Sequence, residues 1–342
     1  MGSLDKTDLR GPAARRDTSA APIVVGGEAL YDVVAGPGDD GPLAGHPGGG
    51  PFNVARTIGR LRQPIAFLGR LSTDRLGATH ERMLADDGVR SECVVRSDDP
   101  TTLALASVDD DGGASYGFYT HATAAAGLNR EAALAALPEH VAALHVGTLG
   151  LVLEPLASAM EAIVERLSSS TMIVVDPNCR PQALADPGPY RERLTRVLGH
   201  SDLVKVSEED VGWLDPERSS LEAARALLEL GPRAVLLTRG ADGATVLSAG
   251  SETTVPAIPA VMVDTIGAGD AFGGGVLAWW VSHRLSRDDL ARHEFVVEAV
   301  RFAAAVAAHT VAQAGASPPL LPEAARGRPL DAADLQVLPA AS

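Results

Sequence analysis

Short apolar runs alternate along the chain with helix-length amphipathic segments, beginning at Pro22. The runs at residues 23–25, 65–68, 144–146, 172–175, 203–206 and 234–238 are continuous rather than alternating. Strands covered by helices on both faces read this way, so the pattern predicts a mostly parallel sheet. Between two of these runs Leu156, Met160, Ile163, Val164 and Leu167 recur at helical spacing after Pro155, a residue suited to a first helical turn. That predicts one crossover helix of a βαβ unit.

One region breaks the rhythm. Residues 101–121 read as two alternating strands, TTLALASV and ASYGFYTH, joined by Asp109, Asp110, Asp111, Gly112 and Gly113. Acidic and glycine residues between alternating runs mark a hairpin. Inserted into an α/β chain, such a hairpin needs something to cover one face, as a lid over a site, a dimerisation surface or both. Gly113, Ser115 and Gly117 match G-x-S-x-G, but a nucleophile elbow needs strand, sharp turn and helix, whereas here an acidic turn enters a strand.

Composition narrows the function. Of 342 residues, 29 are Lys or Arg and 44 are Asp or Glu, a formal charge of −15 that argues against a nucleic-acid partner. No stretch is long and apolar enough to span a membrane. Cys93 and Cys179 stand far apart without a C-x-x-C spacing, which argues against a disulfide framework or a cysteine zinc site and fits a cytoplasmic location. None of the histidines forms H-E-x-x-H, so a protein-ligated catalytic zinc is not expected. Residues 1–21 carry Arg10, Arg15 and Arg16 without an apolar core, and read as a disordered leader or an expression remnant.

The chemistry concentrates in glycine clusters. Asp264-Thr265-Ile266-Gly267-Ala268-Gly269-Asp270 precedes a helix-like run over residues 276–281. Glycines at a helix mouth leave backbone N–H groups free for an anion, with the helix dipole helping. The spacing is neither a dinucleotide fingerprint nor a Walker loop. A carboxylate one residue past an anion hole suits phosphoryl transfer, taking the proton of an attacking hydroxyl while the amides hold the phosphoryl group. The helix terminus is expected to keep Asp270 ionised; the bland alternative is a helix cap with close-packed glycines. A second cluster, Gly48-Gly49-Gly50-Pro51-Phe52-Asn53, opens another helical segment, and Asn53 offers a donor and an acceptor to a polyhydroxylated molecule. Residues 26–32 end the first strand with Asp32 as an acid at the sheet's carboxyl edge, either a turn residue or an acceptor for two sugar hydroxyls. Lys205 and Arg180 lie beside strand ends and could meet phosphates, while Trp279 and Trp280 read as core.

Taken in order, these segments resemble the pfkB, or ribokinase-like, carbohydrate kinases from residue 23 to about 322. The Gly48-Gly49-x-x-x-Asn53 segment, with Gly69, Asp74 and Gly77, looks like the first family signature, and residues 264–270 look like the second. GEALYD at residues 27–32, HVGTLGL at 145–151 and DPNCRP at 176–181 tilt the likeness toward the fructokinase branch. The resemblance implies a three-layer α/β/α fold with a mostly parallel central sheet and a small β-sheet lid. The kinase domain would span residues 22–322, with lid segments at about 28–46 and 98–124 and a C-terminal tail at 323–342.

It further implies an ATP-dependent sugar kinase with Asp270 as base and the amides of Gly267, Ala268 and Gly269 as the anion hole. Asp32, Gly48, Gly49 and Asn53 would hold the sugar. Thr238, Gly240 and Gly243 would form the nucleotide loop, with Lys205 and Ser207 nearby. Mg²⁺ would bridge the ATP phosphates, and a monovalent cation, K⁺, would sit among Asp264, the Ile266 carbonyl and carbonyls of residues 310–315. Two departures matter. Ser207-Glu208-Glu209-Asp210 stands where many members carry N-x-x-E to organise the Mg²⁺ waters. The lid reads Phe118-Tyr119-Thr120-His121 where fructokinases often carry an arginine, so Thr120 or His121 would meet the substrate instead. Fructokinase is the first expectation; ribokinase, 2-keto-3-deoxygluconate kinase, nucleoside kinase and a non-catalytic sugar or nucleotide sensor are the alternatives. A homodimer through the lid is plausible on this reading.

Overall fold

The computed structural model describes residues 21–35, 43–108 and 114–336; the expected leader up to residue 20, residues 36–42 of the expected lid segment, the expected acidic turn at 109–113 and the last six residues lie outside these. In chain order the elements are β1 (Ile23–Gly26), β2 (Leu30–Ala35), β3 (Leu43–Gly48), α1 (Gly50–Arg60), β4 (Ile65–Ser72), α2 (Arg75–Asp86), β5 (Val94–Ser97), β6 (Leu103–Val108), β7 (Ala114–Tyr119), α3 (Arg130–Ala136), β8 (Ala143–Gly147), α4 (Leu156–Leu167), β9 (Met172–Asp176), α5 (Pro187–Gly199), β10 (Leu203–Ser207), α6 (Glu208–Leu214), α7 (Ser220–Ala226), β11 (Ala234–Thr238), β12 (Ala244–Ser248), β13 (Ser251–Val255), α8 (Ala268–Ser282), α9 (His293–Val311) and α10 (Ala333–Gln336).

Every predicted continuous run is a strand of one sheet in the order β13-β12-β11-β10-β9-β8-β1-β4-β5. All neighbours from β11 to β5 run parallel, and only β12 and β13 are antiparallel. Within β1, Ile23 and Val25 face one layer while Val24 faces the other, and all three are fully buried. The first layer is built on α1, α8 and α9 through Phe52, Ile58, Trp280 and Phe302; the second on α4 and α5 through Met160, Ile163 and Leu198. A Cβ on Gly275 would sit 3.0 Å from Ala303 Cα, so the glycine-rich start of α8 lets α9 approach closely. Strand order reverses at β1, which has β4 on one side and β8 on the other. In open α/β sheets ligands bind beyond the strand ends at such a switch point.

The lid is a separate sheet in the order β3-β2-β6-β7, with β2 and β6 parallel and the outer pairs antiparallel. Leu30 and Ala104 of its inner face pack with Leu149 and Leu153 of the body, and Phe118 joins them. Ser115 lies within β7, so the G-x-S-x-G match has no elbow around it.

Three features differ from the sequence reading. Pro155 occupies the cap position ahead of α4 rather than its first turn. The antiparallel strands β12 and β13 extend the sheet where no strand is predicted. The segment read as a tail contributes Ala325, Leu330 and Leu335 to the core under α8 and α9, so residues up to 336 pack as part of the body.

Candidate functional site

The two glycine clusters meet at the carboxyl edge of the sheet. Gly267 adopts the left-handed φ of 76° that ends the incoming loop and starts α8. Ala268 N–H is directed to the Thr265 carbonyl at 3.2 Å, and Ala271 N–H to the Gly267 carbonyl at 2.8 Å. Among the described residues no acceptor takes the N–H of Gly267, Gly269 or Asp270. The free donors at this helix mouth are therefore displaced by one position from the Gly267-Ala268-Gly269 set, because Ala268 closes the turn.

Asp270 projects toward α1, where Asn53 Nδ2 donates to its Oδ2 at 2.9 Å. Beside the helix terminus, burial acts on its ionisation. Burial raises its pKa to about 6, against the Asn53 hydrogen bond that lowers it; the Asp176 carboxylate adds to the rise. At neutral pH Asp270 is still mostly ionised, yet its proton affinity is closer to that of a working base.

Behind the helix mouth lies a buried ion pair. Lys205 of β10 stands opposite Asp176 of β9 and donates to its Oδ2 at 2.8 Å, with exposures of 5% and 3%. Burial works against the lysine's charge, but the Asp176 and Asp210 carboxylates outweigh it and raise its pKa. A Cβ on Gly269 would lie 3.2 Å from Lys205 Nζ. The missing side chain thus brings an ammonium group directly behind the free amides.

Glu28 and Arg180 complete the constellation; the sequence marks Arg180 only as a candidate phosphate contact and Glu28 only as part of GEALYD. Glu28 is fully buried where the chain leaves β1; its Oε2 accepts from Gly150 N–H at 2.8 Å, and its Oε1 has no protein partner. Burial pushes its pKa up to about 8, so it holds a proton at neutral pH. Arg180, braced by the Asn178 and Cys179 carbonyls, lies near enough to lower the pKa of Glu28, Asp32 and Asp270. A lone glutamate after a strand and one arginine after a proline-flanked loop carry no local signal of this convergence.

On the lid, Asp32 lies in β2 with its carboxylate reaching over β3, since a Cβ on Gly48 would collide with Asp32 Oδ2 at 1.9 Å. Burial raises its pKa to about 6. Gly49 takes a φ of 108° at the α1 cap, next to the Glu28 carbonyl. Asp32, Gly48, Gly49, Asn53 and Asp270 thus ring one cleft. Thr120 and His121 do not join it. They line a side groove with Asp99, Val152 and Pro155, beyond the end of β7.

The remaining assignments divide. Thr238 ends β11 and Gly240 and Gly243 follow it at the same sheet edge, and Thr238 Oγ1 donates to the Val206 carbonyl at 3.3 Å. Asp210 is used inside the protein: its Oδ2 accepts from Ser207 N–H and Oγ–H at 2.8 and 2.7 Å, and its Oδ1 accepts from Cys179 N–H at 2.6 Å. Ser207 and Asp210 form a capping box for α6. That donor set does not suit a metal ligand, and no cluster of three or more metal-ligating side chains occurs among the described residues. Asp264 differs: Oδ1 accepts from Ile266 N–H at 3.0 Å and Oδ2 from Gly315 N–H at 2.9 Å, while Val263 and Asp264 N–H share the Val311 carbonyl. Backbone N–H groups thus hold the Asp264 carboxylate and the Val311 carbonyl in one loop, which brings two of the oxygens expected around K⁺ close together. Asp74 serves structure, capping α2 and accepting from Thr101, which lowers its pKa to about 2.

Comparison with known proteins agrees with this architecture. The family model described as pfkB family carbohydrate kinase matches residues 23–324. A fructokinase of Rhizobium leguminosarum bv. trifolii is 34% identical over 260 residues, covering 75% of this chain and 78% of its own. Among solved structures, a fructokinase with bound ATP from Xylella fastidiosa superposes with a TM-score of 0.79 at 25% identity, covering 92% of this chain and 97% of its own. A double mutant of Vibrio cholerae fructokinase, bound to fructose, ADP and potassium ion, gives a TM-score of 0.75 at 28% identity, covering 88% and 95%. With both glycine clusters and their carboxylates assembled at the switch point of a matching fold, this chain belongs to the pfkB family of carbohydrate kinases and is a fructokinase-like, ATP-dependent sugar kinase.

Proposed function

We propose that the protein phosphorylates a neutral sugar, D-fructose first among the candidates, with Asp270 as the catalytic base. The observation that carries this reading is the Asn53–Asp270 contact, which joins a sugar-facing amide to a carboxylate at the mouth of a helix. The sugar lies between the lid and α1, held by Asp32, Asn53 and the backbone of Gly48 and Gly49. Its hydroxyl loses a proton to Asp270 as the oxygen bonds to the ATP γ-phosphorus, and the bond to the β-phosphate oxygen breaks, leaving ADP. The free N–H groups of Gly267, Gly269 and Asp270 hold the transferring oxygens, and the Lys205 ammonium behind them offsets the developing charge.

Charge around the cleft favours a neutral acceptor over a sugar acid. With Glu28 protonated, Asp32, Asp176, Asp210 and Asp270 outnumber Lys205 and Arg180 by two. A carboxylate-bearing substrate would add repulsion in a site removed from water.

ATP would enter beside Thr238, Gly240 and Gly243, where residues 255–257 run against Gly243 and the exposed Ile258 that follows them would offer apolar area to a base. Mg²⁺ would travel with the nucleotide phosphates, since Ser207 and Asp210 are committed to their helix cap. A K⁺ ion would be held by Asp264, the Ile266 carbonyl and carbonyls of residues 310–315, where it would supply positive charge near the anion hole. The outer face of the lid, with Leu43 and Tyr119 exposed, supports pairing of two copies. No described helix is long and apolar enough to cross a membrane.

The acceptor is tested by ADP formation over D-fructose, D-ribose, 2-keto-3-deoxygluconate and adenosine. The highest kcat/KM on D-fructose supports the assignment; a preference for the sugar acid contradicts the charge argument. Tight sugar binding without turnover on any of them would favour a sensor.

A further inference from the structure

The lid sheet aligns four residues in one row across its strands. Register pairs His46 of β3 with Asp32 of β2, Asp32 with Ala104 of β6, and Ala104 with Phe118 of β7. Directly opposed residues on neighbouring strands project from the same face, with Cβ atoms about 5 Å apart. That face is the inner one, because Leu30, Ala104 and Phe118 on it pack against Leu149 and Leu153 of the body. His46 is therefore on the cleft side of the lid, yet it stays exposed, at the open edge of the row.

Asp32 leans across onto β3. The space over Gly48 filled by Asp32 Oδ2 lies on β3, two residues along the same face from His46. The imidazole and the carboxylate thus share one strand's inner surface. The imidazole is also close enough to count among the groups that oppose the burial-driven rise of the Asp32 pKa, as Arg180 does from the body side. A carboxylate accepts two hydroxyl protons, and an adjacent imidazole adds one donor, one acceptor and an apolar ring face. Such a pair suits vicinal hydroxyls on a small ring.

We propose that His46 is a specificity-determining residue that pairs with Asp32 to grip the sugar hydroxyls farthest from the one phosphorylated. The inference rests on the kinase reading above and deepens it. Asp270 meets the reacting hydroxyl at the body, Asp32 meets the sugar from the lid, and His46 lies beyond Asp32 at the cleft edge. A compact sugar places hydroxyls there, whereas a nucleoside places a base.

The test compares the parent with His46→Ala and His46→Gln in steady-state kinetics and in calorimetric titration with D-fructose without nucleotide. Loss of one hydrogen bond to a polar ligand corresponds to roughly a tenfold change in affinity. The expected result is a roughly tenfold higher KM for D-fructose in His46→Ala, an unchanged KM for ATP, and partial recovery in His46→Gln, which keeps a donor and an acceptor. A fructose KM within about twofold of the parent, or a parallel rise in the KM for ATP, overturns the inference and leaves the kinase assignment standing. If the parent binds D-fructose without turnover, the kinase reading fails, and the binding arm alone decides: weaker binding by His46→Ala supports the contact, equal binding overturns it. Absence of both turnover and binding by the parent overturns both.

Discussion

Asn53 Nδ2 donates to Asp270 Oδ2 at 2.9 Å, joining the first turn of α1 to the first turn of α8 across 217 positions of sequence. With Asp270 as the proposed base and Asn53 as a proposed sugar contact, this bond would tie sugar recognition to the base, because the amide stabilises the carboxylate as an anion. Only ionised Asp270 accepts the proton, so kcat should fall as pH drops through about 6, tending toward tenfold per pH unit. Asn53→Ala removes a hydrogen bond that lowers this pKa. Its acid limb should lie at higher pH than the parent's, and its KM for sugar should rise. A pH–rate profile of both proteins checks this; superimposed acid limbs would refute the coupling.

Glu28 gives a stability prediction. Its folded pKa of about 8 lies above the ordinary 4.5, so the folded state holds this proton more tightly than the unfolded chain. The resulting stabilisation is complete below pH 4.5 and is lost as pH rises through 8. Gln in place of Glu28 cannot ionise and can still accept from Gly150 N–H. Thermal melts at pH 5, 7 and 9 should show Glu28→Gln gaining on the parent with rising pH, by roughly 3–5 kcal/mol across the range, at about 1.4 kcal/mol per pKa unit. Parallel pH dependences would contradict a buried, protonated Glu28.

The Lys205 ammonium and the Gly269 backbone are closely fitted. A methyl group at Gly269 would press on Lys205 Nζ from 3.2 Å, so Gly269→Ala should lower kcat by at least tenfold while melting changes little. Lys205→Met alone leaves Asp176 buried and unpaired, a cost of about 3–5 kcal/mol. The double variant Lys205→Met with Asp176→Asn should recover much of that stability and none of the lost kcat. Recovery of activity with stability would make the pair purely structural.

For the Asp264 cage, exchanging K⁺ for tetramethylammonium should lower kcat in the parent, because that ion is too large for a carboxylate and neighbouring carbonyls. Asp264→Ala should start from a low rate and respond little to the exchange. Equal rates of the parent in both salts would remove the cation from this loop.

Much of this was readable in the chain. Continuous apolar runs gave six parallel strands, since a strand covered on both sides needs no polar alternation. Residues 264–270 announced a helix mouth with a carboxylate because left-handed backbone and free amides leave a glycine signature. What escaped depends on distant packing. Glu28 and Arg180 gain their surroundings only when the ends of β1 and β9 come to the same sheet edge, and the burial that raises the Asp270 pKa to about 6 has no signature in its own helix. Ser207 and Asp210 show the opposite case. Their spacing is a capping box in plain local terms, and the structure follows that local chemistry rather than the metal role implied by family position.

ADP release in the presence of D-fructose, measured side by side for the parent and Asp270→Asn with fructose affinity determined by calorimetry, addresses the central assignment most directly. The expected result is robust turnover by the parent, a loss of at least about a thousandfold in kcat for Asp270→Asn, and fructose binding within a few-fold of the parent. An Asp270→Asn protein that binds fructose and still turns over within tenfold of the parent would contradict the assignment of Asp270 as the base.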